Sequence, residues 1–319
     1  MKRLFVYIFL IVLIITACSK QEEKVQFSHE EYNLDLDEGT IYGTLTLPEG
    51  KGPFPVALII AGSGPTDRDG NNPLAGVNNS LKMLAEALAE NSIASVRYDK
   101  RGIAESKDLM VREEDLSFED YVEDAAAWMD KLNRDERFKG HYIIGHSEGA
   151  LIGVVAANKS DVEGYISIAG VGRPADDLLK EQLKNQSEYI YKKSLPVIEE
   201  LKKGNLVPDI DKELEIIFRP SVQPYLISWF KYDPREEIGK LKEPILILQG
   251  DKDLQVSVDD AESLFKSIST RNKMEIIKGM NHVLKNVSGD EKENIKSYSN
   301  PDLPIDQDLV TEIVKFIGR

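Results

Sequence analysis

The sequence predicts an α/β fold in which a doubly wound, mostly parallel sheet carries a helical cap inserted late in the chain. Short, continuously apolar runs alternate with stretches of helical spacing, the pattern of strands buried on both faces of a parallel sheet. A Gly-x-Ser-x-Gly sequence at 145–149 stands between one apolar run and one helical stretch. The alternation then stops at about residues 173–241, where only amphipathic helical spacing occurs.

The elements before the Gly-x-Ser-x-Gly sequence begin with two β-rich segments around the turn Asp37-Glu38-Gly39. A continuously apolar run follows, and the spacing of Leu81, Leu84 and Leu88 then indicates a helix. In chain order, the predicted elements are strands 29–36, 40–47 and 55–61, helix 80–91, strand 93–98 and helix 118–132.

The second half continues the alternation on both sides of the predicted cap. Its elements are strand 142–147, helix 150–158, strand 163–169, strand 244–249, helix 257–268, strand 273–277 and helix 307–317. Within the cap we predict helices 175–193, 195–203, 212–218 and 222–230. Aromatic side chains are frequent in the cap, and we expect most of them to serve packing.

The N-terminus predicts a bacterial lipoprotein signal over residues 1–17. A basic Met1-Lys2-Arg3 precedes an apolar run that is short for a membrane span, and Ile15-Thr16-Ala17-Cys18 resembles a lipobox. Cys18 is the only cysteine of the chain, so its thiol is available for lipid attachment. The predicted organisation is therefore signal 1–17, tether 18–28 and one domain over 29–319, outside the cytoplasm. Secretion after cleavage behind Ala17 is the alternative.

Composition limits the partners. The chain has 319 residues, 41% of them hydrophobic, and a net charge of −15. Such an acidic chain repels nucleic acid and anionic lipid headgroups. We expect no nucleic-acid partner, and we expect membrane attachment to depend on the lipid at Cys18. The sequence leaves the oligomeric state open.

Ser147, inside the Gly-x-Ser-x-Gly sequence, is the predicted nucleophile. A strand, a sharp turn and a helix hold such a serine hydroxyl out of the sheet, and a histidine must take its proton. Of the four histidines, His29 and His141 belong to strand sequences, and His146 adjoins the nucleophile and points away from it. His282 follows a strand and precedes the last helix, so it is the predicted base.

The acid that orients His282 is expected after the first strand beyond the cap. Asp251 and Asp253 both lie just past the end of strand 244–249. The spacing favours Asp253, with Asp251 as the alternative and Asp176 or Asp177 as distant candidates. The chain order serine, aspartate, histidine is the order found in α/β-hydrolases.

The oxyanion donors are predicted to be the backbone N–H groups of Ser63 and Glu148. Glu148 follows the nucleophile, and Ser63 lies in the glycine-rich loop after strand 55–61.

Gly62-x-Gly64 is not a dinucleotide fingerprint, because Asp67 occupies the third glycine position. The sequence 67–71 lacks the ligand set of a calcium loop, and a turn held by Arg68 between its acidic neighbours is expected. We predict no metal and no cofactor.

With these residues the chain resembles the α/β-hydrolase superfamily. It is most similar to the bacterial carboxylesterase branch related to serine aminopeptidases and dienelactone hydrolases. The resemblance implies a Ser-Asp-His hydrolase that needs no cofactor and acts on short-chain carboxylic esters. One departure is Ala104, where many relatives have glycine. The stretches that carry the resemblance are 61–70, 98–102, 145–149, 250–256 and Asn281-His282.

Two other functions remain open at this point. The same catalytic residues could serve an aminopeptidase or amide hydrolase, which would need an acidic group such as Glu148 for the amino terminus of its substrate. A surface lipoprotein that binds without catalysis is the alternative from a different class, although it leaves the complete set of catalytic residues unexplained.

Overall fold

The computed structural model describes residues 25–109 and 112–318. The predicted signal, Cys18 and most of the tether lie outside the described residues. The strands are β1 Phe27–Glu31, β2 Leu34–Leu36, β3 Gly39–Ile41, β4 Gly43–Pro48, β5 Phe54–Ile60, β6 Ala94–Tyr98, β7 Phe138–His146, β8 Gly164–Ile168, β9 Ile245–Gly250 and β10 Asn272–Ile277.

Eleven α-helices occur in the described residues. They are α1 Ser80–Ala89, α2 Phe118–Asn133, α3 Glu148–Ala157, α4 Ala175–Gln186, α5 Glu188–Lys202, α6 Glu215–Phe218, α7 Gln223–Trp229, α8 Pro234–Lys240, α9 Val258–Lys266, α10 Glu291–Ser297 and α11 Gln307–Ile317. Short 3₁₀ turns accompany them at Ala104–Leu109, Glu113–Asp115, Lys212–Leu214 and Pro220–Val222.

Eight strands form one sheet in the order β1-β4-β6-β5-β7-β8-β9-β10. In this order, the six strands from β6 to β10 are parallel, whereas β4 pairs antiparallel with β6 and β1 pairs antiparallel with β4 at the edge. The predicted α/β class with a mostly parallel sheet is confirmed. The carboxyl ends of β5, β7 and β9 meet at one edge, where ligands bind in open α/β sheets.

The two long N-terminal strands predicted from the sequence are each broken in two. β1 pairs with β4, whereas β2 and β3 form a separate two-stranded sheet. The break falls where Tyr32 donates its N–H to the Gly43 carbonyl at 3.0 Å. A side chain at Gly43 would meet the Tyr32 carbonyl at 2.6 Å. The close backbone approach at this corner therefore separates the two pairings.

The core lies on both faces of the sheet. Along β5, Val56 and Leu58 contact the cluster that includes α2 and α3, whereas Ala57 and Ile59 contact the cluster that includes α1 and α11. Each of these four residues is buried. Burial on both faces explains why this strand has a continuous apolar sequence rather than an alternating one.

The segment between β8 and β9 contains helices α4 to α8 and no strand. Its first helix ends earlier than predicted, since Ser187 begins α5 by accepting a hydrogen bond from the Ile190 N–H at 3.4 Å. The predicted break near residue 194 does not occur, and α5 continues through Pro196. The short helices α8 and α10 were not predicted. Within residues 25–109 and 112–318, no helix has the length and apolar character needed to cross a membrane.

Candidate active site

Ser147 lies on the sharp turn between β7 and α3. Its φ of 57° and ψ of −121° are unusual for a residue with a side chain, and its N–H donates to the Ile168 carbonyl at 3.0 Å. A Cβ atom at Gly145 would stand 2.3 Å from the Gly149 oxygen, and one at Gly149 would stand 2.3 Å from the Ile60 oxygen. Only glycine fits at both positions, so the Gly-x-Ser-x-Gly spacing is a steric requirement of this turn.

His282 and Asp253 form a buried pair at the end of the parallel strands. The His282 Nδ1 atom lies 2.8 Å from Asp253 Oδ2, and the Asp253 side chain is 1% exposed. Asp253 Oδ1 accepts hydrogen bonds from the N–H groups of Gln255 and Val256 at 2.7 and 2.9 Å. Burial acts to raise the pKa of Asp253, but His282 and these N–H groups outweigh it and lower the pKa. The carboxylate is thus kept ionised beside the imidazole.

The other acids considered from the sequence lie elsewhere. Asp251 is exposed and accepts a hydrogen bond from the Gly279 N–H at 2.6 Å. Asp176 is buried and forms ion pairs with Lys180 at 3.1 Å and Lys202 at 2.6 Å. Asp177 is exposed at the start of α4. Of the acids considered, Asp253 is the one that the structure brings into contact with His282.

The other three histidines have their own partners. His29 contacts Thr46 and Glu86, and His141 lies 3.7 Å from Glu163. His146 is buried, with its Nε2 2.8 Å from the carbonyl oxygen of His282. Burial and the neighbouring His282 lower the pKa of His146 to about 3. A neutral, hydrogen-bonded His146 supports the loop that carries His282.

The two residues predicted to donate to the oxyanion, Ser63 and Glu148, belong to segments that adjoin Ser147. Glu148 is the first residue of α3, so its N–H is one of the helix N–H groups without an intrahelical partner. Ser63 follows Gly62, whose Cα approaches so closely that a Cβ atom there would stand 3.1 Å from Ser147 Cβ. The loop after β5 therefore packs directly against the turn that holds the serine.

Two residues that the sequence did not single out contact the Glu148 carboxylate. Lys100 Nζ donates to the Gly62 carbonyl at 2.8 Å and to Glu148 Oε2 at 2.9 Å. The Tyr225 hydroxyl, from the cap, donates to Glu148 Oε1 at 2.6 Å. Lys100 belongs to the stretch 98–102 that carried the resemblance, and this was the only available signal. A lysine that follows a strand ordinarily predicts a solvent-exposed side chain.

Arg68 does not pair with its acidic neighbours, contrary to expectation. Its N–H and guanidinium donate to Asp99 at the end of β6 at 2.7 to 3.1 Å. Asp67 accepts hydrogen bonds from the N–H groups of Asp69 and Asn71 instead. The expected turn is present, but Asp99 ties it to the neighbouring strand end.

A cleft and a small cavity lie beside Ser147 in the described part of the chain. A cleft of about 160 Å³ borders both Ser147 and His282. A separate cavity of about 10 Å³ lies between Ser147 and the cap. The cleft is lined by Gly62, Ser63, Thr66, Gly70, Asn72, Ala75, Asn78, Ser80, His146, Ser147, Gln255, His282, Val283 and Tyr298. The cavity is lined by Ser147, Glu148, Leu151, Val171, Arg173, Ala175, Leu178, Trp229 and Pro234.

Metal ligands are not clustered in the described part of the chain. There, no group of three His, Cys, Asp or Glu side chains is arranged to hold a metal ion. The sequence 67–71 is a backbone-capped turn, as its hydrogen bonds show.

Comparison with known proteins agrees with this architecture. A model of the family described as serine aminopeptidase, S33, matches residues 77–212. Esterase EstD from Thermotoga maritima is 28% identical over 316 residues, which cover 94% of this chain and 72% of that protein. The fold is the α/β-hydrolase fold, and the chain is a hydrolase.

Solved structures show the same fold at lower sequence identity. Est1E from Butyrivibrio proteoclasticus, solved with ferulic acid bound, is 17% identical with a TM-score of 0.59, and the alignment covers 90% of this chain and 98% of that one. A dienelactone hydrolase from Anabaena variabilis is 15% identical with a TM-score of 0.53, and the alignment covers 91% and 95%. At these identities the likeness concerns the fold.

Proposed function

We propose that the protein hydrolyses carboxylic esters through an acyl-enzyme on Ser147. The single observation that carries the proposal is the buried His282–Asp253 contact beside the Ser147 turn. In the proposed reaction, Ser147 Oγ attacks the ester carbonyl while His282 takes its proton and Asp253 stabilises the imidazolium. The N–H groups of Ser63 and Glu148 hold the developing oxyanion. His282 then protonates the departing alcohol, and water releases the acid by the same steps.

The position of His282 supports an assignment of the cleft and the cavity to the two halves of the substrate. His282 must reach the leaving-group oxygen, so the alcohol occupies the cleft that His282 borders and the acyl group occupies the cavity beneath the cap. A cavity of about 10 Å³ has room for about one water-sized group. The small size of this cavity favours an ester of a short acid.

The cleft proposed to hold the alcohol favours an uncharged, polar leaving group. Its described lining includes hydroxyl and amide side chains such as Thr66, Asn72, Asn78 and Gln255. Tyr298 also borders the cleft, and its buried hydroxyl makes no hydrogen bond of good geometry, although the side chain of Gln255 is near. These groups can bond to a hydroxylated alcohol and offer no counter-charge to an ionised one.

The aminopeptidase alternative is less well supported. The free amino group of an aminopeptidase substrate belongs to its acyl half and needs a carboxylate there. Among the described residues around the acyl cavity, Glu148 is the one acid, and Lys100 and Tyr225 already occupy its two oxygens. Arg173 also borders this cavity and is paired with Glu181 and Asp260, so it adds no free carboxylate for an ammonium group. We therefore favour ester hydrolysis.

We also propose that the enzyme acts outside the cytoplasm, attached to a membrane by a lipid on Cys18. The proposal rests on the lipobox-like sequence before Cys18. Fractionation of cells that express the full chain tests it. We expect the protein in the membrane fraction and Cys18→Ser in the soluble fraction or as an uncleaved precursor, and a wild-type protein that is soluble contradicts it.

A substrate panel on the domain lacking residues 1–18 tests the proposed activity. The panel pairs p-nitrophenyl acetate, butyrate and octanoate with leucine p-nitroanilide, and glyceryl acetate with hexyl acetate. We expect kcat/KM to fall from acetate to octanoate, glyceryl acetate to exceed hexyl acetate, and the anilide to remain uncleaved. Activity that survives in Ser147→Ala, or a preference for the anilide, overturns the proposal.

A further inference from the structure

The Lys100 side chain is 1% exposed and the Glu148 carboxylate that it contacts is 3% exposed. We propose that Lys100 is a positioning residue that orients both oxyanion donors and connects them to the cap through Glu148 and Tyr225. The inference rests on the proposed function, because Ser63 and Glu148 are donors only if Ser147 forms an acyl-enzyme. It adds a role for a residue that touches neither the nucleophile nor the base.

The contact to Gly62 acts on the first donor through one peptide group. The Gly62 carbonyl and the Ser63 N–H belong to the same planar unit and point in opposite directions. An ammonium 2.8 Å from the carbonyl oxygen therefore fixes the direction in which the Ser63 N–H points. The cation also polarises the peptide group, which makes its N–H a stronger donor.

The contact to Glu148 acts on the second donor and on the local charge. Glu148 begins α3, where a negative side chain is favoured by the helix dipole. The Glu148 carboxylate is nevertheless buried, and the N–H of the same residue is proposed to donate to an oxygen that becomes negatively charged. The Lys100 ammonium 2.9 Å away offsets that carboxylate, so the oxyanion forms without an uncompensated anion beside it.

The cap contributes through Tyr225. Its hydroxyl donates to the second carboxylate oxygen of Glu148 at 2.6 Å, and burial raises the pKa of Tyr225 well above its usual value. The hydroxyl hence stays protonated and remains a donor. Lys100 Nζ also lies 4.8 Å from the centre of the Tyr121 ring, a cation–π contact that helps to hold the ammonium in place. A shift of α7 would reach the oxyanion donors through this chain of contacts.

The decisive comparison is between Glu148→Gln and the double variant Lys100→Met/Glu148→Gln. The single variant keeps the Lys100–Gly62 contact, and the double variant removes it without leaving a buried, unpaired carboxylate. Loss of a whole oxyanion donor lowers kcat about 10²–10³-fold. We expect the double variant to have a kcat about tenfold to a hundredfold below that of Glu148→Gln, with KM within about threefold.

A transition-state analogue separates positioning from general destabilisation. A trifluoromethyl ketone forms an oxyanion on Ser147, so its inhibition constant should rise by the same factor as kcat/KM falls, whereas KM for p-nitrophenyl acetate should not. Lys131→Met is the matched control, since Lys131 also contacts a carbonyl and an aromatic ring, Tyr32, away from the cleft. We expect this control to match the wild type.

A kcat ratio within twofold between folded single and double variants overturns the inference. If the double variant does not fold, the kcat of Tyr225→Phe tests the inference instead. We expect it to lower kcat at least threefold with KM unchanged, and an unchanged kcat contradicts the inference. A wild-type protein without any esterase activity would instead refute the proposed function, so the two failures are distinguishable.

Discussion

His146 holds the backbone of His282 with a 2.8 Å hydrogen bond from its Nε2 to the His282 carbonyl oxygen. A carbonyl only accepts, so the proton of the neutral His146 ring is on Nε2. The two ring centroids lie 4.8 Å apart. The residue before the proposed nucleophile thus supports the loop of the proposed base, which couples the two loops independently of the catalytic atoms.

This buried His146 predicts a specific acid sensitivity of the fold. Its folded pKa of about 3 is below its unfolded value near 6.5, so the unfolded chain binds more protons between these values. Stability is accordingly lost as the pH falls through that window. We expect the loss in the free energy of unfolding between pH 7 and pH 4 to be about 3 kcal/mol smaller in His146→Gln than in the wild type.

Urea unfolding at pH 7, 5 and 4 measures this difference. Glutamine retains a side-chain N–H donor for the His282 carbonyl and does not titrate. His29→Gln is the control, because His29 is partly exposed. Equal losses of stability in His146→Gln and the wild type contradict the account of His146.

The choice between Asp253 and Asp251 predicts opposite outcomes for two equivalent substitutions. Asp253→Asn removes the charge beside His282, and such a change lowers kcat by about a thousandfold or more in serine hydrolases. Asp251→Asn alters only an exposed contact with the Gly279 N–H, and we expect kcat/KM within about threefold of the wild type. Ester hydrolysis assays on both variants measure this, and a larger loss for Asp251→Asn contradicts the assignment.

Ala104 has a φ of 44°, in the left-handed region where glycine is favoured. Glycine adopts this backbone conformation without the strain that a Cβ atom causes. Alanine there costs roughly 1–2 kcal/mol, partly offset by the greater chain entropy of glycine when unfolded. We expect Ala104→Gly to raise the free energy of unfolding by up to about 1 kcal/mol. Denaturant titration measures it, and a destabilised variant contradicts the interpretation.

Leu178 is a buried residue of α4 that lines the small cavity proposed to hold the acyl group. Truncation of a buried leucine leaves a cavity, which here would extend the space for the acyl chain. We expect Leu178→Ala to raise kcat/KM for p-nitrophenyl butyrate relative to acetate by about tenfold, since each added methylene contributes about 1 kcal/mol or less when buried. Ile216→Ala, at an exposed cap position, is the control. An unchanged ratio in a folded variant indicates that the acyl group lies elsewhere.

The sequence indicated most clearly the features of the fold that a single physical constraint determines. Gly145 and Gly149 mark the turn because no side chain fits there, and the unbroken apolar run of β5 reflects burial on both faces. The contact between Asp253 and His282 was predictable because the carboxyl ends of parallel strands bring the loops that follow them to one edge of the sheet. These features are local or follow from topology, and the sequence is enough to locate them.

The features that were missed depend on tertiary contacts. Lys100 has an ordinary position after a strand, and only the folded chain brings Gly62 and Glu148 to its ammonium. The corner at Gly43 similarly arises from its approach to Tyr32. Periodicity also could not show that α5 continues through Pro196, because its packing and cap at Ser187 override local propensity.

Covalent labelling of the active protein with a fluorophosphonate probe, read by peptide mass spectrometry, tests directly whether Ser147 is the nucleophile. We expect one adduct, on Ser147, that forms in step with the loss of p-nitrophenyl acetate hydrolysis, and no adduct in Ser147→Ala. An active wild-type enzyme that carries the probe on another residue, or that is not labelled at all, would rule out Ser147 as the nucleophile.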